Sequence, residues 1–295
     1  PPVRESSDIV GEITEDASKA TGLPRGIPVV AGAGDQAAAG LACGVVREGL
    51  VSVTIGTSGV VFAQADRAPS DPTGSLHGFC HAVRDRWHVM GCMLSAGGCL
   101  DWWRQVLDGE DGARGFDELV AEAAGIQPGA EGLCFLPYLT GERTPHDDPR
   151  ARGAFIGLSA RHDRRHMTRA VLEGISFGLA DMLDLLRDSG QAVDSVRVAG
   201  GAARNETWLQ LLADLFQARV ETVNEPDATA FGAAMLAAIG IEAVPDAEVA
   251  ADSLVKITST HEPGDACFKQ ARAEWKTLYP ELAPAMHRLA DQSTT

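Results

Sequence analysis

The chain has 295 residues, 45% hydrophobic and 22% charged, with a formal net charge of −16. This length and composition are typical of a globular protein with one large or two smaller domains. The acidic balance argues against a nucleic-acid partner, which needs clustered Lys and Arg, and no stretch approaches the ~18 consecutive apolar residues of a membrane span.

The cysteines show no CxxC pair and no Cys/His ligand spacing, and several lie in apolar runs. We therefore expect reduced thiols in a cytoplasmic protein rather than a disulfide or zinc framework. These residues are Cys43, Cys80, Cys92, Cys99, Cys134 and Cys267.

The first predicted unit is a strand, a glycine turn and a helix. The apolar run "IPVVAGA" (residues 27–33) predicts the strand, and "QAAAGLACG" predicts the helix. Between them lie Gly34 and Asp35. The Asp35 carboxylate can accept a proton from a substrate hydroxyl, and the alternative is that it caps the helix of residues 36–43.

Two β-hairpins follow. "GLVSVTIGTSGVVFAQA" predicts two strands joined at residues 56–59, and a second hairpin closes around residues 84–86. The backbone N–H groups of Gly56, Thr57 and Ser58, with two hydroxyls, can surround a phosphate; a plain turn is the alternative. "SAGGCLDWWRQVL" then predicts a helix, and another is expected around residues 115–125.

The middle of the chain combines an irregular loop with a long helix. "GLCFLPYLTGERTPHDDPRARGAFIGLS" predicts an ordered loop that ends in a short strand. Apolar residues at intervals of three or four from 166 to 189 predict a long amphipathic helix. The densest basic stretch lies at its start, where we expect a solvated surface: Arg161, Arg164, Arg165 and Arg169.

The last third alternates strand and helix, which places the chain in the α/β class. "SVRVA" predicts a strand, "ARVETV" another, "DATAFGAAMLAAIG" a helix, and the tail from about residue 264 is helical before polar disorder near "DQSTT". In "AGGAARNETWLQLLADLF", Asn205 is a favoured N-cap. Gly200 and Gly201 let a flat or anionic ligand approach the backbone, or else simply form a tight turn.

Three weak signals thus occur in one chain: a carboxylate, a phosphate-sized hairpin and a Gly-Gly turn at a helix start. Their combination is what a nucleotide-dependent phosphotransferase without a Walker A loop requires.

The sequence also resembles the FGGY carbohydrate kinases of the actin-like ATPase superfamily along essentially its whole length. Their signature G-x-F-x-G-L, seven residues, H-M-x-x-A-V-L-E is met from Gly153 to Glu173. Within that family, "PYLTGERTPHDDPRARGAFIGL" and "WHVMGCMLSAGG" resemble the xylulose kinases more than the glycerol, gluconate or ribulose kinases. The resemblance implies an actin-like (ribonuclease H-like) fold and ATP- and Mg²⁺-dependent phosphorylation of a sugar, with D-xylulose as the leading substrate.

The resemblance also implies the roles of individual residues. Asp35, in the family's "GDQ" motif, corresponds to the catalytic base, with Gln36 beside it near the sugar, and Asp35 can meet Mg²⁺ through water. Relatives that use glycerol carry glutamine where this chain has Asp101. The nucleotide-binding positions implied are Gly56, Thr57, Ser58, Gly97, Gly200, Gly201 and Asn205.

Family members carry a D-x-G-T/S phosphate motif in a region that precedes the catalytic aspartate, and the 34 residues before Asp35 do not contain it. We therefore expect residues 1–46 to be the end of the first actin-like domain and residues 47–295 to be the second, nucleotide-binding domain. Residues 1–46, including the helix after Asp35, are then expected to face a sheet outside the chain and to be poorly protected. Such an exposed apolar edge invites homodimerisation.

Overall fold

A computed structural model describes residues 2–69, 74–109, 114–224 and 227–292. Its strands are β1 (Ile9–Glu12), β2 (Pro28–Val30), β3 (Gly49–Ile55), β4 (Gly59–Ala65), β5 (His77–Cys80), β6 (Trp87–Met93), β7 (Cys134–Leu136), β8 (Ala154–Ile156), β9 (Val193–Gly200), β10 (Arg219–Val223) and β11 (Ile257–His261). Its helices are α1 (Glu15–Thr21), α2 (Asp35–Ala42), α3 (Gly97–Asp108), α4 (Phe116–Ala124), α5 (Arg164–Asp188), α6 (Glu206–Phe216), α7 (Ala228–Gly240), α8 (Ala247–Leu254) and α9 (Lys269–Gln292).

A seven-stranded mixed sheet forms the centre, in the order β11-β10-β9-β3-β4-β6-β5. β3, β9 and β10 are parallel neighbours, and the other pairs are antiparallel. Two further antiparallel pairs, β1–β2 and β7–β8, lie outside this sheet. The α/β class and both hairpins predicted from the sequence are confirmed.

Side chains alternate between the two faces of the sheet along each strand. Each face therefore packs against its own set of helices. Val51, Val53 and Ile55 of β3 join a large core with helices α3, α4, α5 and α6. Phe62 of β4 points the other way and packs with Cys43 at the end of α2. The sheet is thus covered on both faces, as α/β folds require.

The long helix predicted over residues 166–189 is confirmed as α5, but the solvent-exposed side that an amphipathic helix should have is missing over most of its length. Every residue from 168 to 183 is buried, because α5 is enclosed by the sheet and neighbouring helices. Arg169, expected at a solvated surface, is buried and pairs with Glu173 at 2.6 Å. The other three arginines of that stretch are exposed, as expected.

The expectation that helix α2 faces a sheet outside the chain is also wrong. α2 packs along α7, and Ala37 and Leu41 share a core with Met235 and Leu236. By contrast, α1 has no buried residue, and β1 is exposed along its length.

Five short elements were not predicted from the sequence. No sequence pattern predicted β1, α1, β7, α8 or β11, because these elements are short and lack a long periodic pattern. The tail is helical as predicted, with Pro280 and Pro284 inside α9; the end of "DQSTT", residues 293–295, lies outside the described residues. Within the described ranges, no helix combines the length and apolar character needed to cross a bilayer.

Candidate nucleotide-binding site

A cavity of about 410 Å³ opens where the tip of the β3–β4 hairpin, the start of α3, α4 and the start of α6 meet. Five of the seven predicted nucleotide-binding residues line it, together with Asp101: Gly56, Thr57, Gly97, Gly201 and Asn205. These residues are far apart in the sequence, so the cavity is a product of the fold.

The hairpin tip is bonded directly to the first turn of α3. The Gly97 N–H donates to the Gly56 carbonyl at 2.8 Å, and the Gly98 N–H donates to the Thr57 carbonyl at 3.1 Å. A Cβ on Gly97 would lie 2.5 Å from the Gly56 oxygen, so only glycine permits this approach. The two elements therefore form one continuous edge of the cavity.

The two glycines that end β9 have different roles. Gly200 has φ +84°, and a Cβ there would overlap the carbonyl oxygen of Ile55 in β3. Gly201 borders the cavity, and a Cβ there would not clash with the protein, since it would lie 4.0 Å from the same oxygen. Gly200 thus permits the close approach of two strands, and Gly201 leaves room for a ligand.

Asn205 joins two walls of the cavity through its side chain. Its Oδ1 accepts from the Trp208 N–H at 3.0 Å, which confirms the predicted N-cap of α6. Its Nδ2 donates to Oδ1 of Asp117 in α4 at 2.8 Å. Trp208 is anchored in turn, because its indole N–H donates to the Ser176 hydroxyl at 3.0 Å.

The lining suits a nucleotide rather than a small ion. Apolar side chains, including Leu100, Phe116 and Val120, offer a surface for a base. The described lining residues include carboxylates but no Lys or Arg. The Gly56 N–H, expected to face a phosphate, instead donates to the Ser58 carbonyl at 3.0 Å, because the tip is a tight turn. The nearby Arg104 pairs with Asp101 at 2.9 Å and lies 5.4 Å from the Phe116 ring centroid.

The remaining predicted site residues do not line this cavity. The Ser58 hydroxyl donates to the Leu94 carbonyl at 3.2 Å, behind the hairpin tip. Asp35 is exposed at the first residue of α2, where its Oδ1 accepts from the Gln36 N–H at 2.7 Å. Gly34, not Asp35, is the N-cap residue, so the capping alternative for Asp35 is wrong.

Comparison with known proteins supplies the family. The model of the FGGY family of carbohydrate kinases, C-terminal domain, matches residues 51–241. The model of the N-terminal domain of the same family matches residues 1–42. The chain belongs to the FGGY family.

Individual FGGY relatives agree. The chain is 38% identical to xylulose kinase from Escherichia coli over 97% of its length, which covers 59% of that protein. It is 31% identical to gluconokinase from Bacillus subtilis over 96% of its length, covering 56% of that protein. The crystal structure of xylulose kinase from Rhodospirillum rubrum matches with a TM-score of 0.86 and 34% identity, covering 97% of this chain and 58% of that one. The fold is therefore the actin-like ATPase fold of the FGGY sugar kinases, and the chain spans less than two thirds of these relatives.

Two further features of the described residues are their possible metal ligands and the state of their cysteines. Among the described residues, no group of three or more His, Cys, Asp or Glu side chains is placed to hold a metal ion. All six cysteines are free thiols, as the sequence predicted. Burial raises the pKa of the Cys43 thiol to about 11, so this thiol is not a reactive thiolate at neutral pH.

Sequence reasoning missed one wall of the cavity. Phe116, Asp117 and Val120 lie on α4, and Trp208 lies on α6. The helix at 115–125 was predictable from its pattern, but no local signal shows that one of its faces borders a cavity with residues 56 and 201.

Proposed function

We propose that this chain binds ATP in the cavity and is the nucleotide-binding part of a kinase that converts D-xylulose to D-xylulose 5-phosphate. The observation that carries the proposal is the assembly of Gly56, Thr57, Gly97, Gly201 and Asn205 around one cavity. The 38% identity to a xylulose kinase supports the choice of sugar. The pattern of free thiols supports a cytoplasmic setting.

In this proposal the two ends of the cavity bind different parts of ATP. The open space at Gly201 and the Asn205 amide receive the adenosine, while the hairpin tip at Gly56 and Thr57 receives the phosphates. Phosphoryl transfer depends mainly on positioning and on neutralising charge. Asp35 then acts as the general base that removes the proton from the attacking sugar hydroxyl, with Gln36 beside the sugar.

Mg²⁺ fits this arrangement without a protein cage. The ion usually keeps several waters and is held by one or two carboxylates plus the substrate phosphates. The exposed carboxylate of Asp35 is suited to meet it through water. Bound there, Mg²⁺ would supply neutralisation of the phosphate charge.

We also propose the domain division. Residues 1–46 are the end of the sugar-binding domain with its catalytic Asp35, and residues 47–295 are the nucleotide-binding domain. Closure of two such domains excludes water and aligns the reacting groups, so activity requires both. The 295-residue chain alone is then a nucleotide-binding unit.

An alternative substrate and a mode of assembly each have support of their own. The match to gluconokinase keeps other FGGY sugars, gluconate, ribulose and glycerol, as candidate substrates. The exposed Ile9, Val10 and Val29 favour self-association of the chain into a homodimer.

Titration calorimetry and a sugar panel test the proposal. We expect the 295-residue chain to bind ATP or ADP, Thr57→Val to weaken that binding without loss of thermal stability, and D-xylulose phosphorylation to be measurable only when the rest of the kinase is present. Absence of nucleotide binding would refute the site. Preference of the complete kinase for another sugar would refute the substrate, and phosphorylation by the chain alone would refute the division of labour.

A further inference from the structure

A buried glutamate lies behind the hairpin tip and has no role in the function proposed above. Glu142 is 2% exposed and belongs to the loop between β7 and β8. The loop is closed at this point, since the Glu142 N–H donates to the Asp148 carbonyl at 2.9 Å and the Asp148 N–H donates back at 2.8 Å. The position of the Glu142 carboxyl is therefore fixed by its own backbone.

The carboxyl is bonded to the segment that connects β6 with α3. Its Oε1 accepts from the Leu94 N–H at 2.8 Å and from the Arg143 N–H at 2.8 Å. One residue further on, the Ser95 hydroxyl is 2.9 Å from the Thr140 hydroxyl of the same loop. Residues 94 and 95 are thus held by the loop through side chains.

Residues 94–96 are also hydrogen-bonded to the tip of the β3–β4 hairpin. The Leu94 carbonyl accepts from the Ser58 hydroxyl at 3.2 Å, and the Ala96 N–H donates to the Thr57 carbonyl at 2.8 Å. Glu142 is therefore connected to Thr57, which lines the cavity, by hydrogen bonds at each end of the backbone segment 94–96. This connection reaches the tip alone and does not involve Gly201 or Asn205.

We propose that Glu142 is a positioning residue that sets the hairpin tip for the phosphates of the bound nucleotide. The inference rests on the proposed nucleotide site and adds to it a residue that does not touch the ligand. Burial raises the pKa of the Glu142 carboxyl to about 7, so the group is partly neutral near pH 7 and opposes the phosphate charge less than an ionised carboxylate would.

The test compares ligands with and without phosphates on the 295-residue chain. We expect Glu142→Ala to weaken ATP and ADP binding by ~10-fold or more, the usual effect of losing a buried hydrogen bond. The affinity of the variant for adenosine should stay within ~2-fold of wild type, because the proposed contacts of adenosine lie at Gly201 and Asn205. Glu142→Gln keeps an oxygen acceptor for the Leu94 N–H and should restore ATP binding.

Glu173→Ala is the matched control. Glu173 is also 2% exposed and also accepts a backbone N–H, that of Gly129 at 3.0 Å, but its bonds do not lead to the hairpin tip. This variant should lose stability and leave ATP binding by the folded fraction unchanged.

The other outcomes distinguish failure of the nucleotide site from failure of the positioning role. Failure of the wild-type chain to bind ATP refutes the nucleotide site and the role of Glu142 with it. Wild-type binding with equal losses for ATP and adenosine in Glu142→Ala, or no loss for either, refutes only the positioning role. ATP binding that is equally weak in Glu173→Ala shows a general packing effect and also refutes that role.

Discussion

The side-chain amide of Asn205 donates to the Asp117 carboxylate at 2.8 Å, which joins the start of α6 to α4 across the cavity. The same side chain caps α6 through its oxygen, so its two ends serve different purposes. The cap contributes to the stability of the helix, and the amide bond shapes a wall of the cavity.

Substitutions at Asn205 separate these purposes. Asn205→Ser retains a good N-cap and should keep the free energy of unfolding within ~0.5 kcal/mol, whereas Asn205→Ala should lower it by about 1 kcal/mol. Both lose the bond to Asp117 and should weaken ATP and adenosine binding alike. Chemical denaturation and calorimetry measure the two quantities. Unchanged adenosine binding in both variants would remove Asn205 from the site.

Gly200 and Gly201 form a second matched pair. Gly201→Val should leave the chain folded, because a Cβ there comes no closer than 4.0 Å to a neighbouring atom, and should block nucleotide binding by filling the cavity. Gly200→Val should instead unfold or strongly destabilise the chain, because of its positive φ and the nearby Ile55 carbonyl. Thermal melts and ATP titrations distinguish the two. ATP binding by Gly201→Val at wild-type strength contradicts this assignment.

Asp35→Asn tests the general base in the complete kinase. Because Asp35 is exposed and bonds only to its neighbouring N–H among the contacts described, thermal stability should hardly change. Turnover should fall by ~10²-fold or more, the usual effect of removing a general base, with nucleotide affinity retained. Steady-state kinetics with the sugar give the result. Full activity of the variant would show that another group removes the proton.

The raised pKa of Glu142 predicts a dependence of stability on pH. Its pKa is about 7 in the folded chain against 4.5 for an ordinary glutamate, so the folded state binds the proton more tightly. This stabilisation is complete below pH 4.5 and is lost as the pH rises through 7, by roughly 3 kcal/mol in total. Glu142→Gln should lose less stability than wild type between pH 5 and pH 8 in urea titrations. Parallel pH profiles for the two proteins would contradict the assignment.

The rate of amide hydrogen exchange should differ sharply between two segments of the first 46 residues. Helix α1 has no buried residue and β1 is exposed, whereas residues 37–46 are buried against α7 and the sheet. We expect amides of residues 9–30 to exchange quickly and those of residues 37–46 to be protected. Equally slow exchange in both segments would indicate a partner over β1 and β2, such as a second copy of the chain, and equally fast exchange would contradict the burial of residues 37–46.

The sequence by itself determined the local helices and strands and the residues able to take part in binding or catalysis. The β3–β4 hairpin follows from alternating apolar residues around Gly56 and Ser58, and α6 follows from its cap at Asn205 and its apolar spacing, because both signals lie within a few residues. The glycines and Asp35 could be singled out for the same reason. The roles proposed for them rest on resemblance to the FGGY kinases, since no spacing encodes them.

Only the tertiary structure decided which of these residues meet. Gly200 and Gly201 are the same residue type, yet one contacts Ile55 and the other borders the cavity. The difference arises from the position of β3, a strand more than 140 residues earlier in the chain. The burial of α5 on all sides, the packing of α2 on α7 and the approach of Glu142 to Leu94 likewise depend on long-range contacts. A periodic pattern reports which side of a helix is apolar, but it does not report how many neighbours surround that helix or which loop lies behind a binding site.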